Sequence, residues 1–258
     1  MPKDIKIMIA MHKPYRAAQD DIYYPVHVGA LGKEDFQVKA AHDIMPDSRG
    51  DNISAKNPNF CELTGLYYMW KNVSSDYLGL SHYRRYFAQG KNKDKWKMIA
   101  GRQAIEKGLQ GADVILPQKR NYFIETNYSQ YVHAHHEIDL KMTRKIIKKK
   151  YPEFLPKYDE SMKRTYGHRF NMFVMRRDIA DEYCSWLFDI LFELERHLDI
   201  SDYSVNDARV FGFVSERLLD PWIETVGLDY KEMPVVFMED VNWLKKGGDF
   251  LKRKFIGK

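Results

Sequence analysis

Between Leu78 and Phe87 the chain reads LGLSHYRRYF, an apolar run that ends in a histidine, a tyrosine and two adjacent arginines. A buried strand delivering His82, Tyr83, Arg84 and Arg85 to one place concentrates positive charge, which is costly to bury unless something negative meets it. A core carboxylate could answer one arginine. Four successive polar groups at a strand end favour a ligand instead, and planar guanidinium groups match a diphosphate through paired hydrogen bonds. The chemistry this suggests is neutralisation of a phosphate-bearing leaving group.

Three further constellations carry reactive side chains. In Asn206-Asp207-Ala-Arg209 and Ser215-Glu216-Arg217, a carboxylate can act as general base toward a hydroxyl, Glu216 first and Asp207 second; exposed helix pairing of Glu216 with Arg217 is the bland alternative. Asp51-Asn52-Ile53-Ser54, with Asn57, Glu62 and Thr64, is dense in short hydrogen-bonding groups. These suit an anion at a helix N-terminus, or only capping and turn formation. His133, His135 and His136 stand beside Glu137 and Asp139, but their spacing matches no strong zinc pattern, and histidines also serve sugar and phosphate pockets. Cys61 and Cys184 lack CxxC spacing and read as buried, inert thiols.

The elements that must position these groups alternate in type. Ile5 to Met11 (IKIMIAM) reads as a buried strand ending in the loop of His12, Lys13, Pro14 and Tyr15, and open α/β sheets place ligands at such strand ends. Tyr15 to Asn57 is polar and reads as loops. Asn57 as cap and Pro58 as first residue predict a helix from Pro58 to Lys71, with Phe60, Leu63, Tyr67 and Trp70 on one face and Gly65 as a weak point. A strand follows at Asp76 to Ser81, then a helix over Arg102 to Gln110 and a strand over Ala112 to Pro117 that runs into Gln118, Lys119 and Arg120. Further on come a helix near Leu140 to Lys150 and a strand at Asn171 to Met175. Asp178 and Asp181 predict a capping box for a long helix with Tyr183, Trp186, Leu187, Ile190, Leu191 and Leu194 on its apolar face. A last helix is predicted from Asp207 to Trp222. This rhythm predicts an α/β fold.

The 258 residues, 44% hydrophobic and 30% charged, suffice for one large core and carry a net charge of +5. We expect a single domain over 1–258, with a basic tail at about 245–258 containing Lys245, Lys246, Lys252, Arg253, Lys254 and Lys258. A second basic cluster, Lys145, Lys148, Lys149 and Lys150, reads first as a solvated face. No apolar run approaches the roughly 20 residues of a membrane span, so the expected location is the cytoplasm, with the tail touching anionic lipid at the inner face of the membrane. No nucleic-acid recognition module is present, and there is no Walker motif.

The stretches KIMIAMHKPY (Lys6 to Tyr15), HVGA (His27 to Ala30), DNIS (Asp51 to Ser54), CELTGLYYMWKN (Cys61 to Asn72), DYLGLSHYRRYF (Asp76 to Phe87), FNMFVM (Phe170 to Met175), YCSWLFDILFELE (Tyr183 to Glu195) and RVFGFVSERLL (Arg209 to Leu219) occur in order along the chain. In them the sequence resembles the bacterial capsular and exopolysaccharide biosynthesis glycosyltransferases, long classed as a domain of unknown function. The resemblance implies one GT-A-like, Rossmann-related domain with a central mostly parallel sheet flanked by helices. It also implies transfer of a sugar, galactofuranose among the options, from a nucleotide-diphosphate donor, UDP-linked, to a lipid-linked or free glycan acceptor. GT-A enzymes usually hold a divalent metal on a DxD motif, and this chain has SHYRR where that motif would stand. The family label carries no catalytic scheme, so roles follow from chemistry. Arg84, Arg85 and His82 are expected to take the donor diphosphate in place of a metal, so that no cofactor is required, with manganese and magnesium left open. His12, Pro14, Tyr15, Tyr83, Asp51, Asn52, Ser54 and Asn57 are expected around nucleotide and sugar, and His133, His135, Asn171 and Arg209 around the acceptor. The rival readings are a non-catalytic glycan-binding protein of the polysaccharide machinery and a nucleotidyl- or phosphotransferase.

Overall fold

In the first strand Ile5, Ile7, Ile9 and Met11 point to one face of a sheet and Met8 and Ala10 to the other, and all six are buried. This period of two, apolar on both faces, is the signature of a strand covered by helices on each side. The computed structural model describes residues 3–239. The strands are β1 (Ile5–Met11), β2 (Tyr23–His27), β3 (Met45–Pro46), β4 (Tyr77–His82), β5 (Arg85–Phe87), β6 (Val114–Pro117), β7 (Arg120–Asn121), β8 (Tyr166–Gly167), β9 (Phe173–Arg176), β10 (Tyr230–Met233) and β11 (Val235–Phe237). The α-helices are α1 (Asn57–Phe60), α2 (Leu63–Asn72), α3 (Arg102–Gly108), α4 (Asn127–Val132), α5 (Glu137–Lys150), α6 (Leu155–Lys163), α7 (Arg177–His197), α8 (Val210–Ser215) and α9 (Leu219–Val226).

The central sheet runs β10-β6-β9-β4-β1-β2-β3. All of these strands share one direction except β9, which is antiparallel to both β4 and β6. β5 turns back on β4 and pairs with β11, while β7 and β8 form a separate ribbon. One core layer joins Met8, Leu78, Leu80, Phe173 and Met175 to α2 and to the Cys184, Leu187 and Leu191 face of α7. The other joins Ile7, Ile9, Ile115 and Val174 to Ile105 and Leu109 at α3. The α/β architecture expected from the sequence is the one found.

Several boundaries differ from expectation for local reasons. The polar stretch 15–57 holds β2 and β3, obscured because Pro25 sits inside β2, opposite Ile9 of β1. The predicted helix from Pro58 to Lys71 is two helices, since Cys61 adopts φ 52 and ends α1 after Phe60. Asn57 is not the N-cap of a helix: it lies within α1, and its Nδ2 donates to Cys61 O at 2.8 Å. The predicted helix from Asp207 to Trp222 is a 3-10 turn (Asp207–Arg209) followed by α8 and α9. No capping box opens α7, because Asp178 pairs with Arg176 and Asp181 with Arg177. Gly65 is a close-packing residue: a Cβ there would lie 2.7 Å from Val28 Cγ1 and 2.8 Å from Met8 Sδ. No helix among the described residues is long and apolar enough to cross a membrane. The basic segment at 245–258 lies outside the described residues.

Candidate functional site

β1 and β4 run parallel and end side by side, so the residues just past them, His12 and Tyr83-Arg84, meet at one rim of the sheet. Here opens a cleft of about 730 Å³ whose lining includes five arginines (Arg84, Arg85, Arg120, Arg169, Arg209) and two glutamates (Glu62, Glu216). The excess of positive charge is built in by topology. β5 reverses at once after β4 and brings Arg85 back opposite His82; β6 leads to Arg120; the turn before β9 supplies Arg169; and the 3-10 turn before α8 supplies Arg209.

These arginines are held in different ways. Arg169 is buried and saturated, donating to Tyr122 Oη at 3.2 Å, His168 O at 2.6 Å, Glu216 O at 3.2 Å and Asn127 Oδ1. Arg84 is more exposed, with its Nη1 3.1 Å from Glu239 Oε2. Arg85, Arg120 and Arg209 have no carboxylate partner within 4.0 Å among the described residues. They rest instead over aromatic rings, Arg85 4.7 Å from the centre of Phe170, Arg120 5.3 Å from Tyr122 and Arg209 5.2 Å from Phe213. Arg209 Nε also donates to Cys61 Sγ at 3.3 Å. Burial lowers the pKa of Arg85 from its usual value, against the opposing pull of the nearby Glu216 and Glu62 carboxylates.

The turn ahead of β9 organises the acidic groups. Phe170 and Asn171 both adopt left-handed backbone, φ 75 and 55, uncommon for side chains of this size. In that geometry Phe170 N donates to Glu216 Oε1 at 3.2 Å, and Phe170 O accepts from His82 Nε2 at 2.6 Å. Asn171 Nδ2 donates to Glu62 Oε1 at 2.7 Å and to Gly212 O at 3.2 Å, while Asn171 Oδ1 accepts from Ser215 Oγ at 3.0 Å. Glu216 Oε2 accepts from Arg217 at 3.2 Å, so both its oxygens are engaged, whereas Glu62 Oε2 accepts from no described residue. Burial lowers the His82 pKa, and with Nε2 donating to a carbonyl the free nitrogen is Nδ1. Burial likewise lowers His12, helped by Arg84 and Lys13.

Of the residues singled out from sequence, His12, Asn57, His82, Tyr83, Arg84, Arg85, Arg209 and Glu216 line this cleft. Pro14 and Tyr15 do not; Tyr15 packs edge-on against Tyr83 at 5.1 Å. Ser54 is buried and turned away, donating to Asp47 Oδ1 at 2.5 Å. Asp47 also accepts from Gly29 N, Ala30 N and Thr64 Oγ1. Asp51 and Asn52 shape a surface turn with Asn72, Ser48 and Gly50. Asp207 is committed to His135 Nδ1 at 3.1 Å and to Ser204, and His135 stacks 4.2 Å behind Phe213, outside the lining. His133 pairs with Glu125 at 2.5 Å, and Asn171 acts on Glu62 from behind. Among the described residues no group of three or more His, Cys, Asp or Glu side chains could hold a metal ion. The donors that converge on the cleft are mostly guanidinium groups, which cannot ligate a cation.

The sequence placed Glu62 only within a cluster weighed as an anion site or as capping, and gave no site role to Arg120, Tyr122, Arg169 or Phe170. Arg120 and the Arg169-Phe170 pair each adjoin a short apolar strand, the same signal that marked His82 to Arg85. Cys61, expected to be buried, is half-buried in the cleft wall, and burial pushes its thiol up to about 11.

The family model described as a domain of unknown function (DUF4422) matches residues 6–227. No curated protein matches the chain. Among solved structures, the apo structure of WbbM, a bifunctional glycosyltransferase, superposes with a TM-score of 0.82 at 31% sequence identity. The match covers 92% of this chain and 46% of that one, so the chain spans about half the length of the bifunctional protein.

Proposed function

This chain belongs to the DUF4422 family, and on that footing we propose that it transfers a sugar from a nucleotide-diphosphate donor to a glycan hydroxyl in the arginine-lined cleft. The observation that carries the reading is the set of arginines there, Arg85, Arg120 and Arg209, that have no carboxylate partner among the described residues. A partly buried guanidinium is favourable when an anion completes it, and a diphosphate presents several oxygens to paired donors. Resemblance to one half of a bifunctional glycosyltransferase supports the same class of donor.

In this reading the bond from the sugar C1 to the diphosphate oxygen breaks with its electron pair leaving on the diphosphate. Arg85, with Arg84 at the rim, stabilises that charge as it develops. The acceptor oxygen bonds to C1, and its proton passes to a carboxylate. Glu62 suits this better than Glu216, because one of its oxygens has no partner among the described residues while Asn171 fixes the other; Glu216 then orients the Phe170 turn. Asp207, engaged with His135, is set aside as base. A divalent metal is not needed in this scheme. UDP-galactofuranose is the first donor to test, with a capsular or exopolysaccharide oligosaccharide, lipid-linked or free, as acceptor.

Calorimetric titration with UDP, with manganese and after EDTA, tests the reading. Binding that survives EDTA and weakens in Arg85→Ala is the expected result. Strict dependence on manganese would overturn the metal-free scheme, and no binding of any nucleoside diphosphate would shift the reading to a non-catalytic glycan-binding protein.

A further inference from the structure

Immediately after Tyr122, which lines the cleft, the chain makes a tight turn and exposes two large apolar side chains. Phe123 is 81% and Ile124 73% exposed. The turn is specifically built: Phe123 adopts φ 60, its N–H donates to Asn121 Oδ1 at 2.7 Å, and Ile124 N donates to Tyr122 O at 2.7 Å. A left-handed backbone is unfavourable for a phenylalanine, and the core gains nothing from a ring left in water. Two adjacent exposed apolar residues at the tip of a turn mark a surface that meets something apolar.

The segment that follows the tip borders a second hollow whose rim carries basic side chains together with Asp159. Two residues on, Thr126 joins the wall of this hollow, about 580 Å³, floored by Leu140, Tyr158 and Met162 and rimmed by Lys141, Arg144 and Lys163. Lys141 and Arg144 continue along α5 into Lys145 and Lys148, spaced three, four and seven residues from Lys141 and so on one helix face. Glu137 answers Lys141 and Asp159 answers Arg144. Lys145, Lys148 and Lys163 are exposed and have no carboxylate within 4.0 Å among the described residues.

We propose that this face docks on an anionic phospholipid bilayer, with Phe123 and Ile124 entering the interface and the α5 lysines meeting the headgroups. The apolar tip with flanking cations is the combination that holds a protein at such a surface, since burial of apolar area and attraction to anionic lipid add. Because Tyr122 belongs to the cleft and Phe123 to the tip, docking brings the cleft mouth to the bilayer. The inference stands on the surface alone and does not depend on the transfer chemistry.

The test is flotation of the full chain with vesicles of phosphatidylcholine alone and of equal parts phosphatidylcholine and phosphatidylglycerol. The wild type is expected to float with the anionic vesicles only and to be released by high salt. Phe123→Ser/Ile124→Ser and, separately, Lys145→Glu/Lys148→Glu should each reduce the bound fraction about tenfold or more, with unchanged thermal melting showing that the fold is intact. Absence of flotation, or flotation undiminished in either double variant, overturns the proposal. So does loss of a soluble dimer, seen by light scattering without vesicles, in Phe123→Ser/Ile124→Ser, which would make the tip a contact between two copies of the chain.

Discussion

Asn171 Nδ2 lies 2.7 Å from Glu62 Oε1, and the backbone that holds Asn171 there is left-handed, with φ 55. The two residues are joined across the cleft wall by a side chain whose other contacts, to Gly212 O and Ser215 Oγ, leave it little freedom. One oxygen of Glu62 is thereby fixed, and the other accepts from no described residue.

If Glu62 accepts the acceptor proton, Glu62→Gln should lower kcat by about 10²- to 10⁴-fold while leaving UDP affinity within about twofold. Asn171→Gly keeps a residue suited to the left-handed backbone and removes only the amide, so a smaller loss in kcat with intact folding is expected. Steady-state kinetics with calorimetry separates these effects, and a normal kcat in Glu62→Gln would return the role to Glu216.

Arg85 and Arg84 are adjacent in sequence but unequal in setting. Arg85 has no ion pair among the described residues, whereas Arg84 is half-exposed and paired with Glu239. Arg85→Ala should weaken UDP binding about ten- to hundredfold, and Arg84→Ala less. Arg85→Lys should restore little, because an ammonium cannot reproduce the paired donors or the ring stacking. Equal losses in the two alanine variants would contradict the inequality.

Asp47 is fully buried and accepts from two backbone amides and two hydroxyls. Asp47→Ala strands those donors and should cost about 3–5 kcal/mol in chemical denaturation. Ser54→Ala should cost about 1 kcal/mol and leave UDP affinity unchanged. A fall in affinity on Ser54→Ala would bring Ser54 back to the donor site.

Burial lowers the pKa of His82 in the folded chain. The unfolded chain therefore binds a proton at a higher pH than the folded one, and stability falls as pH drops below about 6.5. His135, also lowered first by burial, adds in the same direction. Thermal melting should decline between about pH 7 and 5, and His82→Asn should flatten that slope. A melting temperature independent of pH over this interval would show that His82 is free to charge in place.

Much of the architecture was legible in the chain because it depends on short-range pattern. Apolar residues on both faces at Ile5 to Met11 and Leu78 to Leu80 require covered strands, and the face of α7 through Tyr183, Leu187, Leu191 and Leu194 requires a helix, whatever else the molecule does. The same reasoning placed His82 to Arg85 at a strand end, where a parallel sheet opens. Tertiary structure decided which polar groups share the cleft. Ser54 and Glu62 both come from a stretch of short polar side chains, yet the break at Cys61 turns Glu62 toward Asn171 while Asp47 draws Ser54 into the interior. Arg169 and Arg120 reach the cleft only because β9 lies beside β4 in the sheet and β6 lies beside β9. Hydrogen bonds between residues far apart in sequence leave no periodicity to read, so the partners of Asn171 and Asp47 could be found only after the chain had folded.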